Sequence, residues 1–123
     1  MDIDGTISID SKIPYEEREP NIGIVNKLLI YKQQGFKIVL FTSRNMNTYK
    51  GNIGKINATT LPKLINWLKK HRVPYDEIWM GKPWCGKEGF YVDDKAIRPS
   101  EFEKMSHEEI KDMLKNENSY ETV

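Results

Sequence analysis

The 123-residue chain has one cysteine, Cys85, so no internal disulfide can brace it. Such a composition fits a reducing compartment and leaves stability to packing. Net charge is nearly absent, with nineteen Lys and Arg against eighteen Asp and Glu. A balance of +1 gives no global field to draw nucleic acid or an anionic membrane, so any anion must be met by a local site. No apolar run approaches the ~20 residues of a membrane span, and no basic stretch leads into an apolar signal segment. We therefore expect a cytoplasmic protein with neither nucleic acid nor membrane as a partner. There is no repeat and no low-complexity block, and a 38% hydrophobic chain of this length supports one modest core rather than two domains.

Periodicity divides the chain into alternating elements. Ile24, Val25, Leu28 and Leu29 fall at helical spacing between Asn21 and Gln34, and Gly35 is a good terminator. Lys37-Ile-Val-Leu-Phe41 is a nearly continuous apolar run, the pattern of a strand buried on both faces. A second cycle follows, with a helix opening near Thr59-Thr60-Leu-Pro62 and carrying Leu61, Leu64, Ile65 and Leu68, then a strand at Glu77-Ile-Trp-Met80. A third strand is predicted over Gly89-Phe-Tyr-Val92, ending in Asp93-Asp94. Ser106-His-Glu-Glu109 reads as a capping box opening a last helix to about Lys115. The expectation is one α/β domain over residues 1–115, a three-layer Rossmann-like arrangement with a mainly parallel sheet, followed by a flexible tail over 116–123.

Ligands of such sheets bind beyond the carboxyl ends of the strands, where this sequence places Thr42-Ser43-Arg44, Gly81-Lys82-Pro83 and Asp93-Asp94. The N-terminus adds Met1-Asp2-Ile3-Asp4-Gly5-Thr6, two carboxylates one residue apart before a glycine that permits a sharp turn. Asp2-x-Asp4, Thr42, Lys82 and Asp93-Asp94, in this order, resemble the four signature motifs of the haloacid dehalogenase superfamily. The resemblance runs from Asp2 to about Phe102. Within that superfamily, Arg44-Asn-Met-Asn-Thr-Tyr49, Gly51-Asn-Ile-Gly-Lys-Ile-Asn57, Val73-Pro-Tyr-Asp-Glu77, Gly81-Lys-Pro-Trp-Cys-Gly86, Gly89-Phe-Tyr-Val-Asp-Asp94 and Ile97-Arg-Pro-Ser-Glu-Phe102 are similar to small phosphatases of capsule or surface-polysaccharide biosynthesis.

Phosphoryl transfer needs a nucleophile, charge neutralisation and a proton source in one place. A carboxylate can attack phosphorus and split one difficult displacement into two easier ones, and the resemblance gives that role to Asp2. It gives Asp4 the acid/base role, protonating the leaving oxygen and then activating water, an effect of about 10²–10⁴-fold. Converging carboxylates repel unless a hard cation lies between them, and oxygen ligands with few histidines favour Mg²⁺ over zinc. The family pattern holds that metal by the Asp2 carboxylate, the Asp4 backbone carbonyl and Asp93 or Asp94, with Asp93 the favoured direct ligand. Lys82 would neutralise phosphoryl oxygens and the Thr42 hydroxyl would bond another. Gly5, Thr6, Ser43, Arg44 and Lys55 are the candidate substrate contacts; for Arg44, Lys55, Lys50 and Arg98 the plain alternative is solvated loop charge. Cys85, with no histidine at a partner spacing, reads as a packed thiol rather than a nucleophile, and Trp67, Trp79 and Trp84 as packing residues.

The superfamily's cap domains are inserted after the first motif or between the second and third, and neither gap has room here, so a capless and open site is expected. The segment from Ser43 to Ala58 is long for a loop and is the candidate specificity element; a homo-oligomer contact is its second reading. In the superfamily the first motif ends a strand of four or five apolar residues, whereas only Met1 precedes Asp2. Buried backbone groups left unpaired by such a loss cost roughly 1–3 kcal/mol each. We expect that Met1 is an internal start, that it replaces or follows a lost strand, or that another chain supplies the pairing. An amino group at Met1 would also compete with Mg²⁺ for Asp2. The expected activity is hydrolysis of a small phosphorylated substrate, a sugar phosphate or related intermediate. A receiver-like phospho-acceptor is the first rival, although receivers place the acidic pair first and the acceptor aspartate later. A catalytically impaired binding subunit is the second.

Overall fold

Helix α1 (Ile22–Gln33) turns Ile24, Val25, Leu28 and Tyr31 into the core, while Leu29 is left exposed. Its end follows from Gly35, whose positive φ of 91° reverses the chain. Phe36 N donates to the Tyr31 carbonyl at 3.1 Å and Gly35 N to that of Lys32 at 3.0 Å, a Schellman pair sealed by the edge contact of the Tyr31 and Phe36 rings. The computed structural model describes residues 1–117, so residues 118–123 of the predicted tail lie outside the described residues. These residues pack as two units, Met1–Trp84 and the residues from Cys85 onward.

In the first unit, β1 (Val39–Thr42) pairs in parallel with β2 (Glu77–Met80), in the register Val39 with Glu77 through Thr42 with Met80. The β1 prediction is shifted: the strand starts two residues later than Lys37 and runs on through Thr42. Its burial alternates, with Leu40 and Thr42 enclosed and Val39 and Phe41 half-buried, instead of both faces being covered. The crossover between the strands is α2 (Ile53–Lys70), which opens well before Thr59. Asn52 sets that start, its side-chain oxygen accepting Lys55 N at 3.1 Å. Pro62 therefore lies inside the helix rather than in its first turn, where it removes a hydrogen bond to the carbonyl four residues back. Ile56, Leu64, Trp67 and Leu68 face inward and hold the helix despite that loss. Arg72 closes α2 with a positive φ of 55°, and Val73 N and Arg72 N bond back to the Leu68 and Lys69 carbonyls.

Met1 continues the sheet on the far edge of β1. Its nitrogen donates to the Val39 carbonyl at 2.7 Å and its carbonyl accepts Phe41 N at 2.9 Å, the rung of a parallel ladder. Burial holds the Met1 amino group below its ordinary pKa, an effect that Asp2 opposes and Lys82 reinforces. At the other end of β1, Asp76 accepts Ile38 N at 2.8 Å and pairs with Lys32 of α1.

The second unit holds α3 (Pro99–Lys104), which the sequence reading did not anticipate, and α4 (His107–Glu117). Glu101 reaches back to Arg98 N at 2.8 Å before α3. The predicted capping box before α4 is formed in both directions, Ser106 N to Glu109 at 3.0 Å and Glu109 N to Ser106 at 3.2 Å. The helix extends through Asn116 and Glu117, which the prediction assigned to the tail. The third strand is not formed. Gly86, at a φ of 76°, and Gly89, where a Cβ would lie 2.0 Å from the Cys85 carbonyl oxygen, curl the chain tightly before Phe90. Phe90 and Val92 remain 78% and 88% exposed. Among the described residues the architecture is thus mixed α/β with four helices and a two-stranded parallel sheet.

Two stability outcomes follow. The Ile38 N–H, and next Lys32, hold the Asp76 carboxyl below its ordinary range, so its contribution is present above that range and is lost as pH falls through the lowered folded value. In Asp76→Asn, thermal melts should show a shallower loss of Tm on acidification than wild type. Arg72→Gly should raise stability by up to about 1 kcal/mol in urea melts, because glycine adopts the left-handed position without the side-chain clash.

Candidate active site

The turn after Asp2 is built on one carbonyl. Ile3 O accepts Thr6 N, Ile7 N and Ser8 N at 3.1, 2.9 and 3.0 Å, while Gly5 takes a φ of 82° and donates its N–H to Ser8 O. Ile3 and Ile7 are fully buried and anchor the turn, leaving Asp2 and Asp4 partly exposed on either side of Ile3. Thr6 is folded back so that its hydroxyl donates to Asp2 Oδ2 at 2.9 Å. Thr6 thus touches a predicted catalytic residue, while Gly5 serves the turn.

Thr42 ends β1 and is buried. Its carbonyl accepts Lys82 N at 3.0 Å and its hydroxyl oxygen accepts Arg44 N at 3.1 Å. A hydroxyl used as acceptor still has its hydrogen to donate. Lys82 follows β2 after Gly81, whose φ of 88° strains any other residue; a Cβ there would lie 2.7 Å from Ile53 Cδ1, the movable tip of an exposed side chain. The resulting turn brings Lys82 Nζ to 3.6 Å from Asp2 Oδ1. The strand ends therefore assemble Asp2, Thr6, Thr42 and Lys82 as one group.

Asp4 is differently placed. Arg44 binds both of its oxygens, Nε to Oδ2 at 3.1 Å and Nη2 to Oδ1 at 2.8 Å, and Ser8 Oγ donates to Oδ1 at 3.3 Å. The Arg44 side chain is only 3% exposed, so this bidentate pair is largely shielded from solvent. A second guanidinium stands nearby: Arg18 Nη1 lies 3.9 Å from Asp4 and 3.6 Å from Asp10. Both guanidinium carbons lie over the Tyr15 ring, that of Arg18 at 4.4 Å and that of Arg44 at 4.3 Å. Sequence reasoning did not single out Ser8, Tyr15 or Arg18. The available signal was an aromatic and a cation within one turn of each other, shortly after the acidic pair.

The remaining candidates lie elsewhere. Ser43 uses its carbonyl to accept Met46 N in a turn. Lys55 is in the first turn of α2, not in a loop, and its ammonium lies 4.8 Å from the Tyr49 ring centre. The predicted specificity loop is accordingly shorter, ending at Asn52. Asp93 and Asp94 belong to the second unit, are exposed, and follow no strand; Asp93 accepts Lys95 N at 2.8 Å. Cys85 is exposed rather than packed. Trp67 is buried, whereas Trp79 and Trp84 are exposed.

The donor chemistry in the first unit suits a hard cation in part. Asp2 offers a partly exposed carboxylate and Asp4 a main-chain carbonyl, both oxygen, and Mg²⁺ commonly takes one or two protein carboxylates and keeps several waters. Among the described residues no group of three or more His, Cys, Asp or Glu side chains has metal-binding placement.

The Arg44–Asp4 pair makes a stability prediction that needs no ligand. Arg44→Met, which removes both charged bonds to Asp4 and leaves it Ser8 and the more distant Arg18, should cost about 1–3 kcal/mol in urea unfolding. Adding Asp4→Asn should recover part of that loss, giving a coupling of about 1–3 kcal/mol in the double-mutant cycle; additive losses would refute the pair as a structural tie.

No family model matches the chain, and no curated protein does. A chain of the Pnkp1/Rnl/Hen1 complex is similar at a TM-score of 0.49 and 25% identity, covering 84% of this chain and 32% of that one, a likeness too low to bear on the fold. The crystal structure of an MCSG target from Vibrio cholerae is similar over 94% of both chains, with a TM-score of 0.92 and 52% identity. At that identity and coverage the chain belongs to the same family as the Vibrio cholerae protein.

Proposed function

We propose that the protein is a capless haloacid dehalogenase-type phosphatase, a Mg²⁺-dependent hydrolase of phosphate monoesters, with a three-layer Rossmann-like domain as its full architecture. The observation that carries this reading is the group at the strand ends: Asp2 with Thr6 on one oxygen, Lys82 near the other, and Thr42 tied to Lys82 through the backbone. Asp2 attacks phosphorus and forms an aspartyl-phosphate. Lys82 and the Thr42 hydroxyl stabilise negative charge on the transferred group. Asp4 donates a proton to the leaving oxygen and then takes one from the attacking water. Asp2 and the Asp4 main-chain carbonyl would hold the metal, which would neutralise phosphoryl charge when bound.

The substrate class we assign is a sugar phosphate or related intermediate of capsule or surface-polysaccharide biosynthesis, acted on in the cytoplasm. It rests on the motif resemblance. A second reading, a phosphate-binding subunit without turnover, keeps Lys82 and Thr42 as anion contacts and gives Asp4 only a structural role through its two bonds to Arg44.

Phosphate release from sugar phosphates, nucleotides and an aryl phosphate, with Mg²⁺ and with chelator, separates the two. Chelator-sensitive turnover is expected, falling to background in Asp2→Asn and by about 10²–10⁴-fold in Asp4→Asn. Folded protein without turnover on any substrate, or turnover that survives Asp2→Asn, would reject the phosphatase reading.

A further inference from the structure

Arg44 has a long side chain, and its two bonds to Asp4 require the guanidinium plane to stay aligned with the carboxylate. Nothing in β1 itself imposes that alignment, because the bonds of Arg44 to the strand end are made by its backbone. The surface over its guanidinium is the Tyr15 ring, 4.3 Å away, carried by the 3-10 turn Tyr15–Glu17. That turn packs on α2, and the segment around it is folded about Arg18. Arg18 donates to the Ser11 and Ile13 carbonyls at 2.7 and 3.1 Å, and its own carbonyl accepts Trp67 Nε1 from the buried face of α2 at 2.9 Å. Two cations over one ring repel each other, but Asp4 pairs with both guanidinium groups, so the stack is compensated.

We propose that Tyr15 is a positioning residue: it holds the Arg44 guanidinium on Asp4, so that the segment after the acidic turn sets the geometry of the acid/base carboxylate. The kinetic part of this inference rests on the phosphatase reading, whereas the structural part rests on the side-chain geometry alone. Proton delivery is sensitive to small displacements of the donor, and a guanidinium released from its aromatic face lets the Asp4 plane swing. Tyr15 acts through Arg44, which bonds the proposed acid/base carboxylate, so its loss should act on kcat and leave KM unchanged.

The test uses ¹H–¹⁵N spectra of the full chain, with the Arg44 Nε–H identified by its absence in Arg44→Lys. Wild type and Tyr15→Phe should show a slowly exchanging Nε–H. In Tyr15→Leu the exchange should quicken about tenfold, the effect of one desolvated cation–aromatic contact, while the backbone amides of β1 and β2 stay in place. Equal exchange in wild type and Tyr15→Leu overturns the proposal. If Tyr15→Leu loses its amide dispersion, Tyr15→Met is judged by the same criterion. In turnover, kcat should fall about tenfold in Tyr15→Leu with KM unchanged and be restored in Tyr15→Phe; equal losses in both, or a change in KM alone, overturn the kinetic part. A folded wild type that hydrolyses no phosphomonoester defeats the phosphatase reading, and the exchange rates still decide the role of Tyr15.

Discussion

Arg44 reaches from the end of β1 to grip both oxygens of Asp4, and much of the first unit is arranged around that ion pair. A guanidinium with so little exposure would be costly without its carboxylate, and the carboxylate would be costly without a cation. The pair therefore forces the turn at Ile3–Ser8 and the end of β1 to remain adjacent. Ser8 reinforces the turn from within, its single hydroxyl hydrogen shared between Asp4 and the Ile3 carbonyl. The buried Ile3 and Ile7 complete it by fixing the turn to the core.

The geometry of a parallel ladder explains why Asp2 and Lys82 meet. Along β1 the backbone groups of successive residues point to opposite edges. Val39 and Phe41 bond to Met1 on one edge, whereas Ile38 and Thr42 bond toward Asp76 and Lys82 on the other. Asp2 and Lys82 thus leave the sheet on the two sides of Thr42. A short turn at Gly81, which takes a φ of 88°, suffices for the lysine to cross to the carboxylate.

The parts of this arrangement that were legible in the sequence are those with a local cause. The α1 stop at Gly35, the β2 boundaries and the Ser106–Glu109 box each depend on residues within a few positions of one another. Asp2, Thr42 and Lys82 could be placed because they lie at or just beyond strand ends. The opening of α2 was misread because a proline suggests a first turn, while Asn52, ten residues earlier, was already capping the helix. The apolar run at Gly89–Val92 looked like a strand, but a ladder needs a neighbour as well as a pattern, and two glycines turn the chain sharply just before it. Tyr15 and Arg18 escaped notice for a different reason. Their importance arises from contacts with Arg44, Asp4 and Trp67, far along the chain, which no periodicity encodes.

Charge is where the sequence and the site join. A chain with almost no net charge must concentrate cations to meet an anion, and the first unit does so: Lys82, Arg44 and Arg18 stand against Asp2 and Asp4, with Asp10 largely in solvent. The exposed Asp10 is screened and offsets little. These cations are not equivalent. Arg44 and Arg18 are committed to Asp4, to backbone carbonyls and to the Tyr15 ring, while Lys82 faces the carboxylate that the proposed reaction makes nucleophilic. Under that reading, an arriving phosphoryl group would meet Lys82 as a compact point charge at the attacked centre, and the two arginines would act on the leaving-group side through Asp4. One lysine cannot neutralise both a phosphate dianion and Asp2, and the remaining negative charge is what a hard divalent cation on oxygen donors would balance.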